Sequence, residues 1–520
     1  MKRDFSNLAQ GEFDLLVCGG GIYGAWTAYD AALRGLHVAI VEQNDWAAAT
    51  SSASSKLIHG GLRYLETYDF KLVKKSLAER QMFLDYAPHR VWPLRFGVPV
   101  YRDSRVGLMR LQAGLMLYDA LAGWPAEELS YRPFKRKDFS EHFPFLKSTE
   151  LKGGFTYGDA QTDDARLVLE LIDGAQQLGA VCVNHCRLTT ITEDHQLACG
   201  ATLHDQLGGE QVQIKARQIV NSTGQWISTT QQGNAWCRMS RGVHLVMPGG
   251  LTDEALLLTA PQDGRVFFII PWYGMTLLGT TDDDFQGDVD QINVEPADIS
   301  YLLTAANRYL NTAWSDSDIV GSYAGVRVMQ RSDAAHPSQL SRDWQLRTAD
   351  NGVHYSVGGK ITSARMDASN IVDTVCAQLG VTKPCATANR PFPWTPTADY
   401  ATWCANIQQQ AARFGVDEQS VKWLKRRHGH HAAAVLDGIA DDANLAQRII
   451  PTLPFIFADL LWCARTEMVV HLDDLLRRRL PLLILAQLDN ETLRRIALRV
   501  APILGWDQSV IDQEIQRCVP

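Results

Sequence analysis

Hydrophobic positions along the chain recur in two periods, and the switches between them outline its organisation. Residues 15–18 form a continuous apolar run, the pattern of a strand buried on both faces. A glycine-rich turn and a helical stretch follow, then a second apolar run at 38–41 that ends on Glu42. Residues 71–85 carry a helical period, and a proline-punctuated region extends from there through Pro144. Thr162 or Asp163 is placed to cap a helix over 165–178, which leads into a short strand at 180–184. Two alternating runs, 188–195 and 211–220, read as strands, with Gly208 and Gly209 as the turn. Residues 243–281 are strand-rich, and the chain then returns to its first unit through 319–376.

This alternation predicts an α/β chain whose first 390 residues hold two interleaved domains. One takes about 10–100, 150–240 and 319–380; a mixed-sheet domain takes about 101–149 and 241–318. Pro384, Pro391, Pro393 and Pro396 mark a linker over 383–400. Helical patterns such as 418–427 and 455–465 dominate beyond it, so residues 398–520 are expected to be a separate α-helical domain.

Between the first two apolar runs stands Gly19-x-Gly21-x-x-Gly24. The glycines allow a tight turn, close approach of a pyrophosphate to the backbone, and close packing of helix on strand. The helix N-terminus offers free N–H groups to the phosphates. Glu42 stands where an acid holds the ribose hydroxyls of an adenosine without a 2′-phosphate. A dinucleotide site is therefore expected, and the fingerprint alone does not choose between FAD and NAD.

Composition narrows the class. A net charge of −8 and a pI near 6.0 argue against a partner bound by phosphate neutralisation, so no nucleic acid is expected. Residues 1–14 lack an apolar signal core, and no apolar run approaches the ~20 residues of a spanning helix. The ten cysteines are scattered, as in a reduced cytoplasmic chain. Cys182 and Cys186 flank His185 without a second pair and read as strand packing. His428, His430 and His431 lie in a basic segment read as exposed, and no metal is expected there.

The segment TSSASSKLIHGGLRYLE, residues 50–66, follows the ribose acid closely. Such a loop can wrap a cofactor's phosphates and then present backbone to a flat ring. It resembles that of the FAD-dependent glycerol-3-phosphate dehydrogenases, a branch of the flavoprotein oxidoreductases. Further matches are YGDAQTDDARLVLEL (157–171), NSTGQWI (221–227), IIPWYGMTLLGTTDDD (269–284), SYAGVR (322–327), LSRDW (340–344), VGGKIT (357–362) and LDDLLRRRL (472–480). They occur in the family's order over most of the 520 residues. The resemblance implies a Rossmann-type FAD-binding domain interleaved with a mixed-sheet substrate domain, plus the C-terminal α-helical domain.

It also implies roles. FAD is expected against Gly19, Gly21, Gly24, Glu42, Thr50, Ser51, Ser52, Ser55, Lys56, Leu57, Ile58, Thr223, Gly224, Gly359, Lys360, Ile361 and Thr362. A phosphorylated polyol is expected against Arg63, Tyr64, Arg327, Lys360 and Thr362, with Arg327 beside the reacting carbon. An Arg fork suits a phosphate because it binds two oxygens at once. The proton acceptor is open between His59, after the Ser-rich loop, and His244, in the strand-like RGVHLVMP; an imidazole titrates in the right range. Arg327 is assigned to the developing alkoxide, because its pKa stays above ~12.

Two positions depart from the family pattern. Val328 and Met329 follow the Gly-Val-Arg motif in place of Pro-Leu, and Ala364 stands where the family has Tyr. The loss of a ring at Ala364 predicts extra room for a longer polyol phosphate. The resemblance implies electron transfer to quinone at the cytoplasmic face of the inner membrane. An oxygen-using oxidase of a glycerophosphate or amine is the alternative enzyme, and a catalytically silent FAD-binding protein the alternative of another class. Residues 102–124 set Arg102, Arg105 and Arg110 beside Val106, Leu108, Met109, Leu111, Leu115 and Met116, which fits either a peripheral membrane contact or a buried helix. Assembly as a homodimer is left open.

Overall fold

The computed structural model describes residues 1–66, 68–229, 235–331 and 343–519; Leu340, Ser341 and Arg342 of the LSRDW motif lie outside them. The chain opens with α1 (Phe5–Gln10) and β1 (Glu12–Cys18), then passes through α2 (Ile22–Leu33) into β2 (Val38–Val41). β3 (Leu57–Ile58), α3 (Phe70–Tyr86), β4 (Val91–Tyr101), α4 (Leu108–Leu121), β5 (Arg132–Lys135), α5 (Arg136–His142) and β6 (Leu151–Thr162) follow. Next come α6 (Asp164–Gln177), β7 (Val181–Val183), β8 (Cys186–Asp194), β9 (Leu197–Asp205) and β10 (Gln211–Asn221). β11 (Cys237–Met247), β12 (Ala255–Thr259), β13 (Val266–Trp272), β14 (Met275–Gly279), β15 (Asp283–Phe285), α7 (Pro296–Asn307) and β16 (Gly321–Gln330) form the next stretch. β17 (Gln345–Thr348), β18 (His354–Val357) and α8 (Ala364–Leu379) end it.

Two sheets result. The first runs β17-β18-β10-β1-β2-β7, with β1 parallel to both β10 and β2. Every residue from Leu15 to Cys18 in β1, and all of β2, is buried, as a parallel sheet covered on both faces requires. α2, α6 and α8 cover one face and share a core with Leu15, Val17 and Ile40. Gly24 makes the close approach possible, since a Cβ there would stand 1.8 Å from Gly19 O. The second sheet runs β15-β11-β14-β13-β12-β4-β6-β3, with β16 added on β11 and β5 on β6.

The structure is thus the mixed α/β fold expected, and it differs in detail. β8, β9 and β10 form an antiparallel meander, so the Gly208-Gly209 turn joins β9 to β10. The β8–β9 turn is made by His195 and Gln196, at φ 48° and 67°, without the glycine that announces such a hairpin. β4, β6 and β16 pair in the second sheet, although the expected boundaries put them in the cofactor unit. Strand pairing is non-local, and alternation along the chain does not report it.

The C-terminal region contains α9 (Tyr400–Arg413), α10 (Glu418–His428), α11 (Ala432–Asp437), α12 (Phe457–Thr466), α13 (Asn490–Leu504) and α14 (Gln508–Cys518). Its helices share one continuous core with the second sheet, including Phe96, Tyr273, Trp423 and Phe455. Tyr273 stacks on Trp423 with ring centroids 3.8 Å apart. His428 is buried, not exposed, because its ring is held by Asp459 at 2.5 Å; His430 alone of the three histidines is exposed.

Candidate functional site

A cavity of about 1500 Å³ opens where β1, β10 and β18 end. This is the carboxyl edge of the parallel sheet, where open α/β sheets receive ligands. Gly19, at φ 107°, and Gly21 line it, and Ile22 N–H donates to Ser51 Oγ at 2.9 Å across the mouth of α2. Gly24 stays behind, in helix–strand packing. The Glu42 carboxylate accepts from Gly20 N–H at 2.7 Å and Asn44 N–H at 2.8 Å. Burial pushes this carboxyl up, against the two amides that pull it down. A further cavity of about 660 Å³ continues past Glu42, between Gln43, Arg187 and Leu188.

The Ser-rich segment and the glycine pair after β18 form the opposite end. Thr50, Ser51, Ser55, Leu57 and His59 face the cavity, with Thr223, Gly224, Gly359, Lys360, Ile361 and Thr362. Three residues of this segment expected at the cofactor, like Gly24, do not line it. Lys56, at φ 60°, turns inward, its ammonium bonding Asp164 at 2.7 Å and Ser52 O at 2.6 Å. Ser52 therefore serves as its anchor, and Ile58 is fully buried in β3. A Cβ on Gly359, whose φ is 99°, would stand 1.7 Å from the Tyr23 hydroxyl. That hydroxyl accepts from Lys360 N–H at 3.0 Å and donates to Asp367 at 2.8 Å, fixing the Gly-Gly-Lys turn over α2.

A pocket of about 860 Å³ adjoins the first and shares Ser55, Leu57, His59, Tyr64 and Arg327 with it. Arg63, Arg265, Asp159 and Asp282 complete its polar wall. Arg327 sits on β16 against Gly242, where a Cβ would meet the guanidinium at 2.3 Å. It donates to Thr280 Oγ1 at 2.8 Å and lies 3.5 Å from Asp282. The Lys360 ammonium stands 4.6 Å from the centre of the Tyr64 ring and 3.2 Å from Ser76 Oγ. His59 N–H donates to Thr362 Oγ1 at 3.2 Å, which joins the two halves of the wall.

His244 reaches the pocket only through Ser55. It is buried, stacks on Tyr323 at 4.8 Å, and its Nε2 is 2.9 Å from Ser55 Oγ. Burial first, then the charges of Arg327 and Lys56, hold its pKa well below the ordinary histidine range. Ala364 lines neither cavity; it is buried in the core that α8 shares with α2. The extra room expected at that position is therefore not there. Val328 does line the cofactor cavity.

Sequence reasoning passed over several residues. Tyr23, Gln225 and Trp226 line the larger cavity, and Asp159, Arg265 and Asp282 the smaller. Asp159 and Asp282 stand inside two of the quoted motifs, and neither acid was singled out. Among the described residues two buried clusters have metal-ligand composition, His428 with Cys463 and Glu467, and Asp45 with His185 and Asp474. Arginines already hold their acids: Arg166 on Glu467, and Arg478 with Arg479 on Asp45.

Family models match over nearly the whole chain. One, described as FAD dependent oxidoreductase, covers residues 14–365, and a second, the C-terminal domain of alpha-glycerophosphate oxidase, covers 385–511. A glycerol-3-phosphate dehydrogenase of Synechocystis sp. is 32% identical over 99% of this chain and 97% of its own. An aerobic glycerol-3-phosphate dehydrogenase of Staphylococcus saprophyticus is 30% identical over 98% of this chain and 91% of its own. The solved glycerol-3-phosphate dehydrogenase from Bacillus halodurans, complexed with FAD, superposes with a TM-score of 0.80 at 26% identity, covering 98% of this chain and 95% of that one. The glycine cradle, the buried Glu42 after β2 and the paired cavities fit FAD. The chain belongs to the FAD-dependent glycerol-3-phosphate dehydrogenase family.

Proposed function

We infer that the protein oxidises sn-glycerol 3-phosphate to dihydroxyacetone phosphate. The observation that carries this reading is Arg327, which lines both the cofactor cavity and the adjoining polar pocket. When bound, FAD supplies the two-electron acceptor for the hydride leaving C2. The chain's own residues do the rest. Arg63 and Lys360 bring cationic donors to the phosphate, with Tyr64 and Thr362 shaping the wall around it. Arg327 stabilises negative charge growing on the C2 oxygen, a preorganised donor at the place where charge develops.

The hydroxyl proton leaves by one of two routes. His59 is on the wall of both cavities, and His244, kept neutral by burial, accepts through the Ser55 hydroxyl. The second route is favoured, because a neutral imidazole with a hydroxyl already bonded to it is ready to take a proton.

Quinone is the proposed onward acceptor, at a peripheral membrane contact. α4 supports this: Met109 is 87% exposed, with Met116, Leu117 and Trp124 also exposed, and only Leu115, Tyr118 and Asp119 are buried. A largely apolar cavity of about 1380 Å³ lies beneath α4, flanked by Arg105 and Arg110, and shares Leu62, Arg63, Leu257 and Val266 with the substrate pocket. Among the described residues no helix is long and apolar enough to cross a membrane. In domain terms we read 1–390 as the interleaved oxidoreductase and 398–520 as a helical domain.

The test is anaerobic bleaching of the flavin's visible band on adding sn-glycerol 3-phosphate. Loss of the band, followed by fast reoxidation with a quinone analogue and slow reoxidation in air, supports the dehydrogenase. A band unmoved by this substrate sinks the reading.

A further inference from the structure

The C-terminal segment reaches the cofactor cleft at one turn, and the contact is ionic and buried. Asp45 lies three residues after Glu42, and residues 48–51, which follow it, form a wall of the cleft. Its carboxylate has no solvent exposure and is held by two adjacent arginines from the far end of the chain. Arg478 Nε donates to Oδ2 at 2.6 Å, and Arg479 donates to Oδ1 at 2.9 Å and also to Oδ2. Successive residues of an α-helix point about 100° apart, so neighbours do not ordinarily meet on one carboxylate. Here Leu475–Arg479 forms a π-helical turn, and both guanidinium groups come to the same side. Asp474 braces Arg478 at 2.7 Å, and Glu467 O accepts from Arg479 at 2.8 Å.

The same turn is gripped once more, one residue on. Trp46 lies against Gly20 of the phosphate-binding loop, where a Cβ would stand 2.4 Å from the ring. Its indole N–H donates to Met468 Sδ at 3.3 Å, and Ala47 N–H donates to Gly20 O at 3.0 Å.

We propose that the C-terminal domain is a positioning part of the FAD site: Arg478 and Arg479, through Asp45, fix the turn that presents Glu42 and residues 48–51 to the adenosine half of FAD. This rests on the reading that Glu42 and that wall hold the adenosine half. Neither arginine touches the cofactor cavity. Without them Asp45 keeps the Asn184 amide at 3.2 Å but loses the guanidinium charges that balance it, and the turn must move to bring the carboxylate to water.

The test compares wild type with an Arg478→Met, Arg479→Met double variant in the full chain. FAD is titrated back by flavin fluorescence, and Tm is measured with and without saturating FAD. The proposal expects FAD Kd to rise at least tenfold and the FAD-induced gain in Tm to shrink. A purely structural role instead lowers both Tm values equally and leaves Kd unchanged, which overturns the proposal. Should the double variant not fold, Arg478→Lys carries the test. It keeps the charge and removes the Nε donor, so Kd rises severalfold, and an unchanged Kd overturns the proposal. Because Kd is read without substrate, loss of the glycerol-3-phosphate reading leaves this result standing.

Discussion

Ser55 Oγ and His244 Nε2 are 2.9 Å apart, so one hydroxyl stands between a buried imidazole and the pocket that Arg327 lines. The pair works as a unit. Ser55→Ala and His244→Ala should each slow flavin reduction by about 10²-fold, and the double variant should be little slower than either. Stopped-flow reduction measures this; a Ser55→Ala rate equal to wild type would show that the proton leaves by another route, with His59 next in line.

The pH profile follows from the depressed pKa of His244. Burial favours the neutral ring, so the unfolded chain binds a proton below about pH 6.5 that the folded chain refuses. The stability this neutral ring contributes is present above about pH 6.5 and is lost as pH falls toward the lowered folded value. The rate of flavin reduction should likewise hold through pH 6.5 and fall only below it. An acid limb centred at or above pH 6.5 contradicts the assignment.

Arg327→Ala should cut the flavin-reduction rate by about 10²–10³-fold while FAD remains bound. Arg63→Ala, one pocket further out, should mainly raise KM. The two variants swapping behaviour would place the reacting carbon beside Arg63 instead.

Glu170 is fully buried, and burial alone would raise its pKa, yet His89 and Arg90 hold it down to about 2 from an ordinary 4.5. A depressed carboxyl contributes stability above its unfolded pKa and loses it as pH falls through the folded one. Denaturant unfolding should therefore show a loss of up to a few kcal/mol between pH 4.5 and pH 2. Glu170→Gln, already less stable at pH 7, should have a flatter slope across that window.

Met109→Glu with Leu117→Glu should lower co-sedimentation with anionic vesicles severalfold and leave reduction by sn-glycerol 3-phosphate unchanged. Equal sedimentation of both proteins removes α4 as the membrane contact.

The cofactor end was legible because its chemistry is local in sequence: Gly19, Gly21 and Glu42 lie within 24 residues, and the backbone itself makes the site. The Ser-rich segment was legible as a loop but not residue by residue. Lys56 reads as a cofactor contact until its φ of 60° turns the ammonium toward Asp164, more than a hundred residues away. Ala364 misleads for the same reason, since sequence places it beside a site residue and the helix points it into the core. β9 was missed because its turn uses His195 and Gln196 where a glycine usually signals. Tyr23, whose hydroxyl bonds Lys360 and Asp367, needed the tertiary fold to be seen at all.

The bridge from Asp45 to Arg479 spans 434 residues of chain. At about 5–20 residues per second, the ribosome leaves that carboxylate without its partner for roughly 20–90 s after it emerges. Met1 N, which donates to Thr466 O at 2.5 Å across 465 residues of chain, waits longer still. The turn after β2, made early in the chain, is therefore among the last parts to gain its partners. On the proposed role of Arg478 and Arg479, flavin loading belongs to the end of synthesis, and C-terminal truncation is expected to cost the protein its cofactor before it touches the chemistry.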